Sequence, residues 1–472
     1  MEFYSNIVEC LLSKRNILDK ALIYGKEGIS YQDLCEYVIN YSYHFSENEV
    51  VGILCTNNIE FVVSYFAVLM AKGIALLLNK ELKWAEIQQL CEQCNSKRIV
   101  TSEKIVEFDT KIKIEIVRRS CFEGNNGIGK LFDSYDEDAV ITLLPTSGTT
   151  DQAKIVSLTH RSFVKGIYNT LYFSNRKKDD IELILLSFAT RTALEGQLLT
   201  GVALGMQIVL YDGMLLPRKV HKIIEEQKIT FCSLTPSLFC LIFKDYKHVK
   251  SLRSLDSIVV VGEKLSDVVL ENFSQECNHI NLLYGYGMTE TGPIAFKNKD
   301  NCRIRLNSVG KILEDNTAFL KNVSFDEKGN QNGEIVVCCS SMMQGYYNKG
   351  MAIDEKYIFT GDIGHFDEEG YLYIDGRIKN IINYNGYKVF PEEIEGIISG
   401  LKGISDVLVK GEIDSGGAEI VVAYVVVSDE MTVENVLRHC RKHLAEYKVP
   451  KKINFCREID KIGASQKKKR TQ

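Results

Sequence analysis

From about residue 20 to 375 the chain alternates short aliphatic, β-branched runs with longer amphipathic segments, and this pattern narrows the fold more than any other feature. The runs include Val50–Leu54, Arg98–Thr101, Ala139–Leu144, Gln207–Tyr211 and Ser257–Val261, with helices expected at Ile59–Lys72 and Leu216–Glu226. Strands alternating with helices argue for largely parallel sheets with helices on their faces. After Gly376 the order changes to helix (Pro391–Ile398), strand (Ile404–Lys410), a DSGG turn, strand (Ala418–Val427) and helix (Val433–Glu446). That is a compact α+β unit. The expected architecture is α/β, with a large multi-subdomain part over 1–376 and a small α+β domain over 377–472. At 472 residues and 45% hydrophobic, the chain can bury cores of that size.

Composition excludes some classes of function. A net charge of −5 gives no electrostatic reason to expect nucleic acid. The start, MEFYSNIVECLLSKRN, interrupts its apolar run with Glu9 and Lys14, so no signal peptide is expected. The most apolar region, 183–216, carries Arg191, Glu195 and Gln197, so no membrane span is expected either. Fourteen cysteines without a leader read as reduced thiols of a cytoplasmic protein. Cys91 and Cys94 form a lone CxxC with no second ligand pair, and His439 and His443 sit in a basic stretch that reads as a solvated helix face.

The chemistry starts at residues 141–161, ITLLPTSGTTDQAKIVSLTHR. An apolar strand delivers the chain into Thr146, Ser147, Gly148, Thr149 and Thr150, which crowd hydroxyl and backbone N–H donors onto one short arc. Lys154 adds a mobile positive charge. Polyphosphate oxygens need that combination, although the spacing is not that of a Walker loop. Taken alone, such a turn also reads as a solvated loop.

Three further blocks decide between these readings: YGYGMTETG (284–292), YIFTGD (357–362) and GRIKNIINYNGYKVFPEEIE (376–395). In this order and spacing, the four blocks resemble the adenylate-forming superfamily, which includes acyl-CoA synthetases, amino-acid adenylation domains and luciferase. Weaker matches such as ITFCSLTPS (229–237) and IVVVGEKL (258–265) extend the resemblance over nearly the whole chain.

The resemblance implies attack of a carboxylate on the α-phosphate of ATP, giving an acyl-adenylate, then transfer to a pantetheine thiol. The TSGTT loop and Lys154 would hold the β- and γ-phosphates. Tyr286, Gly287 and Met288 would line the nucleotide, with Gly262 and Glu263 on the other side of adenine. Thr289 would donate to the α-phosphate, and Glu290 would supply a hard oxygen to Mg²⁺. Asp362 would accept both ribose hydroxyls and Arg377 would add a charged contact. Lys379 would be the hinge about which the small, mobile C-terminal domain swings. Gly386 would lie near the pantetheine path, of either CoA or a discrete acyl or peptidyl carrier protein. No fused carrier domain is expected.

Three departures from the family pattern matter. Asp151, Ala153 and Ile155 stand where Gly, Pro and Gly are usual. The C-terminal motif places Ser465 and Gln466 where a Gly-Lys pair is usual, with Lys467 next. Lys467 is taken as the lysine that bridges carboxylate and phosphate. In the acyl segment, Ala189 follows Phe188 where amino-acid adenylation domains carry the Asp that meets the substrate ammonium. An unpaired ammonium in a buried pocket is costly, so an acid without an α-amino group is expected. Arg191 could meet a substrate anion but reads better as a helix-surface arginine. The chain is therefore expected to be a cytoplasmic acid–thiol ligase that uses ATP and Mg²⁺. The alternatives are a stand-alone amino-acid adenylating enzyme and a nucleotide-binding protein with impaired catalysis.

Overall fold

The computed structural model describes residues 4–103, 112–123, 134–146, 153–243, 252–262, 269, 273, 275–297, 305, 308–325, 331–347, 356–384, 387–414, 419–427, 430–459, 461–462 and 467–468. It divides into two compact units. The first comprises Met1–Gly262, His279–Ile294 and Cys339–Lys356, and the second Glu263–Asn278, Ala295–Cys338 and Tyr357–Gln472.

The first unit contains a seven-stranded sheet in the order Gly345–Tyr346, Lys154–Thr159, Val140–Thr146, Ile74–Asn79, Val50–Cys55, Arg98–Thr101 and Lys113–Ile116. The pairs from Val140–Thr146 to Lys113–Ile116 are parallel, as βαβ patterning requires, and the pairs to Lys154–Thr159 and Gly345–Tyr346 are antiparallel. A further run of strands orders Asn281–Met288, Ser257–Val261, Phe231–Leu234, Ile181–Ile184, Gln207–Leu210, Lys20–Tyr24 and Glu27–Ser30, parallel up to the last pair.

Helix Ile59–Met70 starts where the Asn58 side chain accepts from the Phe61 N–H, and every residue but Glu60 is buried. It is thus a core helix, not the amphipathic segment its pattern suggested. It stops before Lys72 because that residue takes a left-handed φ of 57°. Helix Pro217–Gln227 has proline at its start, where no N–H partner is missed. Arg191–Leu204 is helical throughout, but its middle, Leu194–Leu199, is a π turn.

In the second unit, strands run in the order Asn316–Phe325, Gln331–Cys339, Ile358–Phe366, Tyr371–Arg377 and Ser308–Ile312. The C-terminal segment of this unit has its own core. Helices Pro391–Ser399 and Val433–His443 pack on a sheet of Ile404–Ile413, Glu419–Val427 and Lys452–Cys456, burying Ile394, Ile398, Val409, Val421 and Val436.

Cysteines are mostly interior. Cys35, Cys55, Cys91, Cys94, Cys232, Cys277 and Cys440 are buried, and desolvation pushes Cys35, Cys91 and Cys94 up to about 12. Among the described residues, no group of three His, Cys, Asp or Glu side chains could hold a metal, and no helix is long and apolar enough to cross a membrane.

Candidate active site

The two strands that flank the expected phosphate loop pair antiparallel. Thr146 pairs with Lys154, and the Thr146 Oγ1 donates to the Lys154 carbonyl at 3.2 Å. Ser147, Gly148, Thr149 and Thr150 lie outside the described residues, as does Asp151. The pairing fixes both ends of that arc, while strand Gly345–Tyr346 adds to the sheet edge through Tyr346↔Val156. Two main-chain bonds clamp the addition: Gln344 N to Ser157 O at 2.9 Å and Tyr347 N to Ile155 O at 2.8 Å.

Tyr346 links two of the expected functional residues. The Lys154 ammonium sits 4.8 Å from its ring centroid, a cation–π contact, and its hydroxyl donates to Glu290 Oε1 at 3.0 Å. Burial, the Glu290 charge and that hydrogen bond together push the Tyr346 hydroxyl well above the usual phenol range, so it stays a donor. The sequence reading missed Tyr346.

Glu290 stands in the turn after strand Asn281–Met288, almost buried, and its carbonyl accepts from Met343 N at 2.7 Å. The turn is too tight for side chains at two positions. A Cβ on Gly287 would lie 2.5 Å from the Gly292 carbonyl oxygen, and Gly292 has φ +71° with Arg191 Nη2 at 3.0 Å from its would-be Cβ. Gly287 therefore answers a packing demand of the turn, besides any approach of the nucleotide.

Arg191 corrects an expectation. It is not on a helix surface, because its side chain is only 4% exposed and all three guanidinium nitrogens donate hydrogen bonds. Nε and Nη2 donate to Glu195 Oε2, Nη1 donates to Thr289 O at 2.9 Å, and Nη2 donates to Ser341 O at 2.8 Å. The pattern that misled was local: a lone Arg among polar and small residues says nothing about carbonyls about a hundred or more positions away.

Other expected residues of this unit fall at strand ends. Val261 pairs with Gly285, so Gly262 follows its strand beside Tyr286, which lies near the end of the neighbouring parallel strand. Gly262 takes φ +105°, which needs glycine. Tyr286 and Met288 are half-buried, Gly287 is exposed, and Glu263 lies outside the described residues. Phe188 is fully buried and stacks on Phe61 at 4.6 Å, with half-buried Ala189 following it.

In the second unit, Asp362 and Arg377 face each other across antiparallel strands, and Arg377 Nε donates to Asp362 Oδ1 at 2.8 Å. Gly361 turns the chain with φ +72°, and the Asp362 N–H is held by Thr360 Oγ1 at 3.1 Å. Lys379 is exposed in the single turn Ile378–Asn380 that directly follows Arg377. The Lys467 backbone pairs with Ile462 in a two-residue ladder. Gly386, Ser465 and Gln466 lie outside the described residues.

These donors suit Mg²⁺ and a triphosphate. Mg²⁺ takes one or two protein carboxylates and completes its shell with phosphate oxygens and water, so a single buried-edge carboxylate such as Glu290 fits it without a protein cage. The paired strands join through a segment whose sequence is rich in hydroxyls, and the Lys154 ammonium at its edge suits phosphates.

The comparisons with known proteins agree with this chemistry. Residues 14–347 match the family of AMP-binding enzymes, and residues 393–467 match the AMP-binding enzyme C-terminal domain. The chain is 27% identical to the 2-succinylbenzoate–CoA ligase of Oceanobacillus iheyensis, over 89% of this chain and 88% of that one. It is 28% identical to 4-coumarate–CoA ligase 1 of Arabidopsis thaliana, over 88% of this chain and 81% of that one. The solved O-succinylbenzoate coenzyme A synthetase of Bacillus subtilis, in complex with ATP and magnesium ion, shares the fold with a TM-score of 0.84 at 22% identity, over 98% of each chain. With a family match across most of its length, the chain belongs to the AMP-binding enzymes, the adenylate-forming superfamily.

Proposed function

We infer that the chain is an acid–CoA ligase: it activates a carboxylic acid as acyl-AMP at the expense of ATP, then passes the acyl group to the thiol of CoA. The observation that carries this reading is the linkage of Lys154, Tyr346 and Glu290 beside a segment whose sequence is rich in hydroxyls. A carboxylate and a triphosphate repel, so the first step needs charge neutralisation and in-line positioning above all. Thr146 through Thr150 and Lys154 are assigned to the β- and γ-phosphates, Thr289 to the α-phosphate, and Gly262, Glu263, Tyr286, Gly287 and Met288 to the adenosine side. Glu290 would hold Mg²⁺, which supplies charge neutralisation at the phosphates. Asp362 is assigned to the ribose hydroxyls, Arg377 to a second nucleotide contact, and Lys467 to the carboxylate and phosphate during adenylation. The small domain is taken as 377–472 with its hinge at Lys379; the separate core of the C-terminal segment supports this.

The acid is proposed to be an aryl or arylalkenyl carboxylic acid without an α-amino group. Ala189 supports the missing amino group, and the benzoate and coumarate in the relatives' names support the ring. A carrier protein presents the same pantetheine thiol, so it is a second acceptor to test. A cytoplasmic location is proposed from the number of buried thiols.

Pyrophosphate exchange across aryl, fatty and amino acids, followed by thioester formation with CoA or a phosphopantetheine carrier, tests these assignments. Exchange with aryl acids and thioester on CoA is the expected result. Exchange with amino acids alone would replace the substrate class, and nucleotide binding without exchange for any acid would replace the enzyme reading by that of a binding protein.

A further inference from the structure

The Arg191–Glu195 pair plays no part in the chemistry set out above, and its burial needs a reason. Its side chains are 4% and 2% exposed. Taking two charges out of water costs several kcal/mol per ion, and apolar residues of equal volume often fold as well. Two local features accommodate the carboxylate. Glu195 lies in the π turn Leu194–Leu199, an irregularity frequent at functional sites. On helix His160–Ser174, Gly166 leaves it room, because a Cβ there would lie 2.2 Å from the Glu195 carboxyl carbon.

What the carboxylate does is aim the guanidinium. Glu195 Oε2 takes Nε at 2.8 Å and Nη2 at 2.6 Å, which turns the remaining donors toward Thr289 O and Ser341 O. Those carbonyls belong to the two segments that supply Glu290 and Tyr346. A third bond, Ser341 Oγ to Thr291 O at 2.7 Å, ties the same segments together. One rigid planar donor thus sets the separation of two segments whose side chains meet at Glu290 Oε1 and the Tyr346 hydroxyl.

We propose that Arg191, oriented by Glu195, is a positioning residue that holds the Thr289–Glu290 turn against the 341–346 segment, so that the Glu290 carboxylate meets the nucleotide's divalent cation at a fixed place. The proposal rests on the assignment of Glu290 as the metal ligand. A lysine keeps the charge but has no fork to span Thr289, Ser341 and Glu195 at once.

Mn²⁺ titration of the full chain with ATP and no acid, read by electron paramagnetic resonance, tests it without reference to turnover. Arg191→Lys is expected to weaken Mn²⁺ binding roughly tenfold, and to lower kcat for pyrophosphate exchange while KM for the acid stays within about twofold. A folded Arg191→Lys protein with Mn²⁺ affinity within about twofold of the parent overturns the proposal. Should that variant not fold, Ser341→Ala keeps the guanidinium but deletes the bond to Thr291. It is expected to weaken Mn²⁺ binding about threefold, and no change overturns the clamp. Glu290→Gln separates the two levels: if it leaves Mn²⁺ affinity unchanged, the metal assignment itself falls and the clamp falls with it. Loss of affinity in Glu290→Gln alone, with Arg191→Lys unaffected, removes only the clamp.

Discussion

Arg191 with Glu195 and Arg377 with Asp362 are both arginine–carboxylate pairs, one in each unit, yet solvent treats them differently. In the first, both side chains are buried and the guanidinium also holds two main-chain carbonyls. In the second, Asp362 is 4% exposed while Arg377 is 53% exposed and binds through its Nε. Coulomb attraction is screened where water reaches and strong where it does not. A pair sealed on every side behaves as scaffold. A buried carboxylate covered by an arginine half in water can exchange that partner for a ligand's hydroxyls, as a ribose-binding role requires.

The largest effect expected from this contrast is on stability. Arg191→Ala leaves Glu195 charged, buried and alone, and should cost about 3–5 kcal/mol in denaturant unfolding. A loss below about 1 kcal/mol would erase the distinction between the pairs.

A second buried polar group of the first unit sharpens it through pH. The His160 Nδ1 accepts from Ile7 N at 3.2 Å, and burial lowers the His160 pKa to about 4. The unfolded histidine binds its proton near 6.5, so between the two values the unfolded state holds more protons. Stability is full above the unfolded pKa and falls as pH drops through the folded one. The loss should reach about 3 kcal/mol below pH 4, and His160→Gln should flatten that part of the pH–stability curve. An unchanged curve would mean that the ring is not held neutral.

Asp362→Asn is expected to reduce pyrophosphate exchange by roughly 10- to 100-fold while the thermal midpoint moves little, since a charged hydrogen bond to ligand is worth about 1.5–3 kcal/mol. Equal losses in stability and exchange would make Asp362 a scaffold residue like Glu195. The smallest effect is reserved for Arg377→Ala, whose exposed guanidinium should contribute less than about 1 kcal/mol to folding. A loss comparable to that of Arg191→Ala would end the contrast.

Local patterning carried much of the fold. Arg98–Thr101 and Ser257–Val261 form strands over the expected residues, and Pro391 starts the helix that its position announces. Where tertiary contacts override propensity, patterning fails. The helix expected over Val433–Glu446 ends at His443, because Leu444 turns extended, a short turn Glu446–Lys448 follows, and Tyr447 stacks on Tyr387 at 4.4 Å. In the site, Lys154 and Glu290 were legible because motif spacing marks them. Tyr346 and Arg191 were not: each acts on groups brought near by sheet pairing and turn packing, with the Tyr346–Glu290 bond spanning 56 positions and the Arg191–Ser341 bond 150.

The interior placement of the cysteines bears on the second half-reaction. An enzyme that makes an acyl-adenylate, a reactive mixed anhydride, beside a thiol acceptor risks acylating its own sulfur atoms. At Cys35, Cys91 and Cys94, ionisation near 12 instead of 9 leaves about a thousandth of the ordinary nucleophilic anion at neutral pH. At these three positions packing alone makes the sulfur a poor competitor for the activated acid.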